Sequence, residues 1–309
     1  MSDDPFSDLL TLTNAQSVIS GGFTIGGDWS IRFRPERIKF YAVLKGRCLL
    51  DVEGAAGPVR LEAGDTFLVS GRPFLLASDL AIEPREAKPL FAGWAGKMTR
   101  LSEIEEVELI GGHAGLDPVR GALLMDVLPP FIHARAGGAQ ATVLQWLVGQ
   151  IVSEQMSDLP GVAVASTQLA QLMLVQLLRV HLEDGGRLAA GLLRAVSDRR
   201  IAPALRLMHA DPGRAWQLGE LAAATAMSRT TFAVYFKSVA GVAPLAYLTE
   251  WRMRLAEKLL REENLPVSTL ARSLGYTSES AFSNAFKRIT GRAPKFYRSE
   301  MRAVAEAAE

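Results

Sequence analysis

Between Phe23 and about His113 the apolar residues fall in short runs: WSIRFRP, IKFYAVLKG, RCLLDVEG, VRLEAGD, TFLVSG, PFLLASD, LFAGW and VELIGGH. Gly, Pro or Asp stands between most of them. Many short strands at such spacing predict a sandwich or a small barrel. From about Asp117 to Asp198 the period lengthens, and GALLMDVLPPF, ATVLQWLVGQIVSEQM, VASTQLAQLMLVQLLRVHLE and LAAGLLRAVSD read as helices. On the longest of these Leu169, Leu172, Met173, Gln176, Leu177 and Val180 form a broad apolar side. Two readings stand for these helices: they cover the barrel, or the long pair forms a dimer interface. The polar stretch SDRRI, Asp198 to Ile201, is the candidate linker.

Beyond it the pattern is helical throughout. ALRLMHADPG is stopped by Pro212 and Gly213, WQLGELAAATA breaks at Met227 and Ser228, and RTTFAVYFKSVAG ends at Gly241. Pro244 opens a helix of about 19 residues, about 28 Å long. VSTLARSLG, a turn from Tyr276 to Ser278, and ESAFSNAFKRITG follow, and the Ala/Glu-rich tail after Arg298 is expected to fray.

This last part repeats itself at an offset of 50. Phe232, Phe236, Lys237, Gly241, Ala243, Pro244 and Tyr247 recur as Phe282, Phe286, Lys287, Gly291, Ala293, Pro294 and Tyr297. Upstream, Leu221-Ala222 corresponds to Leu270-Ala271, with the second turn one residue longer. Each copy is helix, tight turn, helix, the helix-turn-helix layout, about 217–241 and 267–291. The helical period then sorts each second helix into two faces. Phe232, Tyr235, Phe236 and Val239 point inward, and Thr230, Ala233, Val234 and Lys237 outward. In the second copy Phe282, Ala285, Phe286 and Ile289 point inward, and Ser280, Ser283, Asn284 and Lys287 outward. One face locked into a domain and the other free to enter a major groove is what a recognition helix needs.

Ser228 and Ser278 are placed as N-caps, and exposed amides at helix N-termini bind phosphate. Candidate DNA contacts are therefore Ser228, Arg229, Thr230, Thr231, Ala233, Val234 and Lys237, with Ser278, Glu279, Ser280, Ser283, Asn284, Lys287 and Arg288. The long cations Arg229, Lys237, Lys287 and Arg288 suit phosphates, which position a protein without reading sequence. Asn284, whose amide pairs with an adenine edge, suits a base.

Composition sharpens this in three places. The 309 residues, 49% hydrophobic, suffice for two domains. Residues 1–200 carry 19 Lys and Arg against 23 Asp and Glu, and residues 201–309 carry 15 against 10. The surplus of cations thus lies on the repeated part, as a polyanion partner requires. The single cysteine, Cys48, excludes an intramolecular disulfide framework and suits a reducing compartment. No basic start with an apolar core marks a signal peptide, and the most apolar stretch, about residues 162–183, carries too many polar groups for a membrane span. A cytoplasmic protein is expected.

Over residues 200–300 the chain resembles the AraC/XylS family of bacterial regulators, on LGELAAATAMSRTTFAVYFKSVAGVAPLAYLTEWRMRLAEKLL and VSTLARSLGYTSESAFSNAFKRITGRAPKFYR. The resemblance implies a seven-helix DNA-binding domain whose two recognition helices enter successive major grooves. The linking helix, about Leu245 to Glu263, would set a separation compatible with the roughly 34 Å of one DNA turn. Where many relatives carry Arg or Gln on the first recognition helix, this chain has Ala233 and Val234, which suit thymine methyls or weak reading; in the latter case Thr230 and Arg229 carry more of the contact.

The N-terminal part, from DPFSDLL through GGDWSIRF, IKFYAVLKG, VRLEAGD and GRPF to about Asp184, is similar to the cupin-type regulatory domain of one branch of that family. Cupin enzymes hold a metal with closely spaced His and a Glu, whereas GRCLLDVEG and GDTFLVSGRPF contain no His, and His113, His133, His181 and His209 are scattered. No metal and no cofactor is expected. Some relatives sense oxidants through paired cysteines; Cys48, alone, leaves an intersubunit bridge, an oxidised single thiol or a small buried hydrophobe. A small-molecule pocket in the barrel would draw on Trp29, Tyr41, Cys48, Arg72 and Trp94.

The fold expected is α+β in two domains: residues 1–198 a cupin-like β-barrel with flanking helices for regulation and dimerisation, and 199–309 an all-α domain with two helix-turn-helix units joined by a long helix. The function expected is a non-enzymatic, sequence-specific transcription regulator of activating type, a homodimer acting on double-stranded DNA and RNA polymerase under a small-molecule or stress signal, with no membrane role. A cupin-type enzyme with a helical appendage and a structural DNA-binding protein without a sensor are the alternatives.

Overall fold

The computed structural model describes residues 4–13, 16–92, 98–115, 125, 127–157, 159–183, 188 and 190–306. They form two compact units, one of Thr13–Asp184 and one of Met1–Leu12 with Gly185–Glu309.

The first unit holds eleven described strands in two sheets. Strands β1 (Gln16–Ile25), β3 (Ile38–Lys45), β6 (Thr66–Ser70), β9 (Met98–Arg100), β10 (Val107–Gly115) and β11 (Phe131–Ala134) form one sheet in the order β11-β6-β3-β10-β1-β9. Strands β2 (Ser30–Phe33), β4 (Arg47–Val52), β5 (Val59–Glu62), β7 (Phe74–Ala77) and β8 (Arg85–Glu86) form the other, in the order β5-β4-β7-β2-β8. Both are antiparallel except at β1–β9 and β2–β8. Strand β4 alternates as a one-sided strand must: Cys48, Leu50 and Val52 are buried and Arg47 is exposed. Strand β6 is buried at every position. It lies between β11 and β3 and is covered by the long helix.

A short helix α2 (Ala87–Leu90) follows β8, and two long ones, α3 (Ala141–Gln155) and α4 (Val162–Glu183), pack on each other. Helix α4 lies on β1, β10, β11 and β6 with Ala170, Met173, Leu174, Leu177 and Leu178 buried. It is long and apolar enough to cross a membrane by length and composition. Its buried face is turned from the expected stripe: Leu172 is exposed, while Ser166 and Ala170 take part in the contact.

The second unit begins with helix α1 (Pro5–Thr13), whose Leu12 sits in one cluster with Ala195, Ile201, Leu205, Trp216, Phe232 and Trp251. Then come α5 (Leu192–Ser197), α6 (Ala202–Ala210), α7 (Leu218–Ala224), α8 (Arg229–Ala240), α9 (Pro244–Glu262), α10 (Val267–Ser273), α11 (Glu279–Thr290) and α12 (Pro294–Glu306). The stretch Asp198 to Ile201 joins α5 to α6 inside this unit. Asp198 accepts from the N–H groups of Arg200 and Ile201 and from the Tyr235 hydroxyl, and Ile201 is fully buried. A polar composition suggested a linker; the carboxylate instead caps one helix and ties another. The last helix extends past Arg298 to Glu306, since Met, Arg, Ala and Glu are strong helix formers and no Gly or Pro interrupts them.

Candidate nucleic-acid interface

The two copies of the repeat are built alike. Helix α8 starts at Ser228, whose Oγ accepts from the Thr231 N–H at 3.2 Å, and α11 starts at Ser278, whose Oγ accepts from the Ala281 N–H at 3.1 Å. Each hydroxyl satisfies one first-turn amide and leaves the remaining N-terminal amides to outside partners. Each helix ends on a glycine in the left-handed region, Gly241 at φ 77° and Gly291 at φ 78°, whose N–H reaches the carbonyl of Lys237 or Lys287. This end costs a residue with a Cβ about 1–2 kcal/mol, which explains why the repeat keeps glycine there.

The inward faces form two aromatic clusters. Phe232 meets Phe236 edge-on and Phe236 meets Tyr247. In the second copy Tyr276, Phe282, Phe286 and Tyr297 make the matching chain. Phe232, Phe236, Val239, Phe282 and Phe286 are buried. Tyr235, Ala285 and Ile289 are only half-buried, and the Tyr235 ring carries the Arg200 guanidinium at 4.1 Å. With the aromatics fixed on one side, the opposite side faces outward by helical geometry.

On that side of α8 and its cap Ser228, Arg229, Thr230, Thr231, Val234 and Lys237 are exposed and Ala233 is half-buried. Val234 stands out at 67% exposure, an apolar side chain with nothing covering it. On α11 and its cap Ser278, Ser280, Asn284, Lys287 and Arg288 are exposed, and Glu279 and Ser283 are half-buried. Glu279 pairs with Lys295 at 3.7 Å, which offsets its charge at an end where a phosphate would otherwise be repelled. Helix α9 joins the copies and belongs to both cores, with Tyr247, Leu248 and Trp251 buried near one end and Met253, Ala256 and Leu260 near the other.

Sequence reasoning missed the surroundings of Lys287. A cleft of about 610 Å³ there is lined by Arg292, Phe296, Ser299 and Glu300, with Arg292 and Glu300 paired and Phe296 exposed. The offset that exposed the repeat gives no hint of it, because Phe296 and Lys295 stand where the first copy has Ala246 and Leu245.

In the sheet unit the five ligand candidates separate. Trp29 and Cys48 line one cleft of about 1020 Å³ with Arg47, Arg60, Glu62, Ser78 and Glu106. Tyr41 is elsewhere, stacked on Phe67 at 5.3 Å and edge-on to Phe33 and Phe74 in the aromatic filling between the sheets. Arg72 is exposed between β6 and β7. Trp94 lies outside the described residues. Strand pairing brings Arg47 and Arg60 to the cleft, which no spacing in the chain announces. Burial, with the nearby Asp65 carboxylate, pushes the Cys48 thiol up to about 12, so at neutral pH it is an unreactive, protonated apolar group. Among the described residues no three His, Cys, Asp or Glu side chains form a set able to hold a metal ion.

Residues 4–183 match the family model described as cupin, and residues 221–300 the model described as helix-turn-helix domain. A protein of Streptomyces antibioticus, named as an AraC-like transcription regulator, is 39% identical over 297 residues, covering 96% of this chain and 98% of its own. The RCS-specific HTH-type transcriptional activator RclR of Escherichia coli is 28% identical over 310 residues, covering 98% and 99%. Among solved structures, the DNA-binding domain of AdpA in complex with a target DNA is 31% identical, covering 34% of this chain and 96% of its own, with a TM-score of 0.33. ToxT from Vibrio cholerae is 12% identical, covering 92% and 97%, with a TM-score of 0.36.

Proposed function

Because the chain belongs to the AraC-like DNA-binding transcription regulators that carry a cupin domain ahead of the helix-turn-helix domain, we propose that α8 and α11 each enter a major groove of one double-stranded DNA site in the cytoplasm. The observation that carries this is the repeated helix itself, held by the same aromatics and the same two caps, with its polar face open. Asn284 reads a base, Val234 and Ala233 meet thymine methyls, and Arg229, Lys237, Lys287 and Arg288 hold phosphates. The protein acts by binding, and it activates transcription by placing its surface beside RNA polymerase.

Purified full chain, titrated with genomic fragments that include its own upstream region, over a salt series with random competitor, should retain some fragments against the competitor. Binding of every fragment with equal, salt-labile affinity would sink the reading. On a retained fragment Asn284→Ala should cost about 1–3 kcal/mol and relax one base position, whereas Lys287→Ala should weaken all sequences and reduce the salt slope by about 1. Equal losses on specific and random DNA for both variants would overturn the assignment of faces.

The cleft beside Trp29 and Cys48 is the proposed effector site, its two arginines suiting an organic anion. The proposed dimer contact is the outer face of α3 and α4. Val143, Trp146, Val164 and Leu172 are exposed there, Trp146 to 57%, and Glu154 is the only charged residue of α3. A face with apolar side chains exposed and few charges suits a second copy. Trp146→Glu should turn a sedimenting dimer into a monomer with the thermal midpoint kept; a wild-type monomer at tens of micromolar would dismiss the contact.

A further inference from the structure

Helix α9 is joined by a second contact between the two helix-turn-helix units. It ends at Glu262, and the chain continues through Glu263 to Pro266 before α10. A second connection lies beside it, made of backbone. The turn after α6, Pro212 to Arg214, lies against the turn after α10, Ser273 to Gly275. A Cβ on Gly213 would stand 2.4 Å from the Ser273 carbonyl oxygen, and a Cβ on Gly275 would stand 2.2 Å from the Gly213 carbonyl oxygen. Both obstacles are main chain, which cannot swing away as the end of a side chain does. The two turns therefore meet at a distance that only glycine permits.

Arg252, in the middle of α9, closes the contact. Its Nε donates to the Pro212 carbonyl at 2.5 Å and its Nη2 to the Arg214 carbonyl at 2.8 Å, and its guanidinium lies 5.9 Å from the centre of the Tyr276 ring. Pro212 and Arg214 belong to the approach to the first unit. Tyr276 belongs to the turn of the second and packs on the Phe282 ring of its recognition helix. One planar cation thus grips the loop of one unit and touches the turn of the other. The first loop is itself braced: the Trp216 indole N–H donates to the Asp211 carbonyl at 2.9 Å, and Arg214 pairs with Glu220 at the start of α7.

We propose that this clasp of Gly213, Gly275 and Arg252 fixes the spacing and rotation between the two recognition helices, and so determines which separation of DNA boxes the protein accepts. The proposal rests on the reading that both α8 and α11 enter DNA. One added base pair moves a box about 3.4 Å along the axis and about 35° around it, which a rigid pair of helices cannot follow and a loosely joined pair can. None of the three residues lies on the outward faces of α8 and α11; they are positioning residues.

The test uses full chain and duplexes carrying the two boxes of a retained fragment, with the spacer lengthened or shortened by one base pair, and a duplex with the second box scrambled. Wild type should lose about tenfold or more on either spacer change, comparable to a base mismatch. Gly213 has no left-handed backbone, so Gly213→Ala perturbs only the contact. Gly213→Ala and Arg252→Ala should bind the native spacing more weakly, yet with native and shifted spacings within about threefold of each other, and Arg252→Lys should fall between. Variants that fold by circular dichroism and keep the wild-type spacing ratio overturn the clasp. Should Gly213→Ala not fold, the ratio for the two Arg252 variants decides. A wild type indifferent to the scrambled box refutes the two-unit reading itself, and the clasp with it.

Discussion

Deleting residues 1–12 should strip the stability of the DNA-binding unit, although these residues lie at the far end of the chain from it. Leu12 is buried among Ile201, Leu205, Trp216 and Phe232, and its truncation alone, Leu12→Ala, is expected to cost about 2–5 kcal/mol. Deletion costs more, because Asp8 leaves with it. The Asp8 carboxylate accepts from His209 Nδ1 at 3.2 Å, which leaves Nε2 to accept from the Tyr247 hydroxyl at 2.9 Å, and the imidazole stacks on Trp251 at 3.7 Å. Without Asp8 the buried N–H has no acceptor.

Burial lowers the His209 pKa, outweighing the opposing pull of Asp8, so the ring is neutral in the fold and titrates in the ordinary histidine range once unfolded. The unfolded chain then binds the extra proton as pH falls below about 6.5, and the stability that neutral His209 contributes is lost from there towards the lowered folded value. Thermal unfolding of full chain and of the deletion variant, followed with DNA binding between pH 8 and 5, checks both points. An unchanged midpoint for the deletion would show that α1 is not part of this unit's core.

Phe282→Ala should cost about 3–5 kcal/mol and remove protection of one DNA box while the other keeps its footprint. Phe282 has no exposed surface and bridges Tyr276 to Phe286, so its loss opens a cavity under α11 and leaves Phe286 as the helix's one remaining buried aromatic. Phe232→Ala is its counterpart under α8, in a separate cluster with Phe236 and Trp216. The two losses should add within about 0.5 kcal/mol, since distant sites without shared partners are independent. Footprinting beside thermal melts measures both; simultaneous loss of both boxes in either single variant would mean that the clusters are not separate.

Much of the repeated unit was legible because it is local. The i, i+3, i+4, i+7 spacing of Phe232, Tyr235, Phe236 and Val239, the serine three residues before an amide and the glycine after the last turn each specify their conformation from neighbours in the chain. The repeat then did the work of an internal control, since a pattern kept across 50 residues in two surroundings is not set by either one. Where the sequence misled, the deciding partner was remote. SDRRI looked like a linker until the Asp198 carboxylate met Tyr235, 37 residues on, and Leu172 looked buried until β1 chose a neighbouring face of α4. Of the described ligand candidates, Tyr41 went to the aromatic filling, Arg72 to the surface, and Trp29 and Cys48 to the cleft, since which strand faces which is not written in any one strand.

The sequence by itself thus determined most of the elements of the helical unit, the two repeated helices α8 and α11 with their caps and buried faces, and the family to which the chain belongs, while it read LFAGW as a strand where Ala87–Leu90 is helical and GALLMDVLPPF as a helix where Phe131 opens a strand; what it determined follows from short-range periodicity and backbone preferences. Only the tertiary structure decided that α1 closes the core of the helical unit, that His209 is held between Asp8 and Tyr247, and that Gly213 and Gly275 meet under Arg252. These depend on contacts between residues 38 to 201 positions apart, whose free energy comes from burial and shape once the chain has closed, and no local pattern encodes which distant surface will arrive.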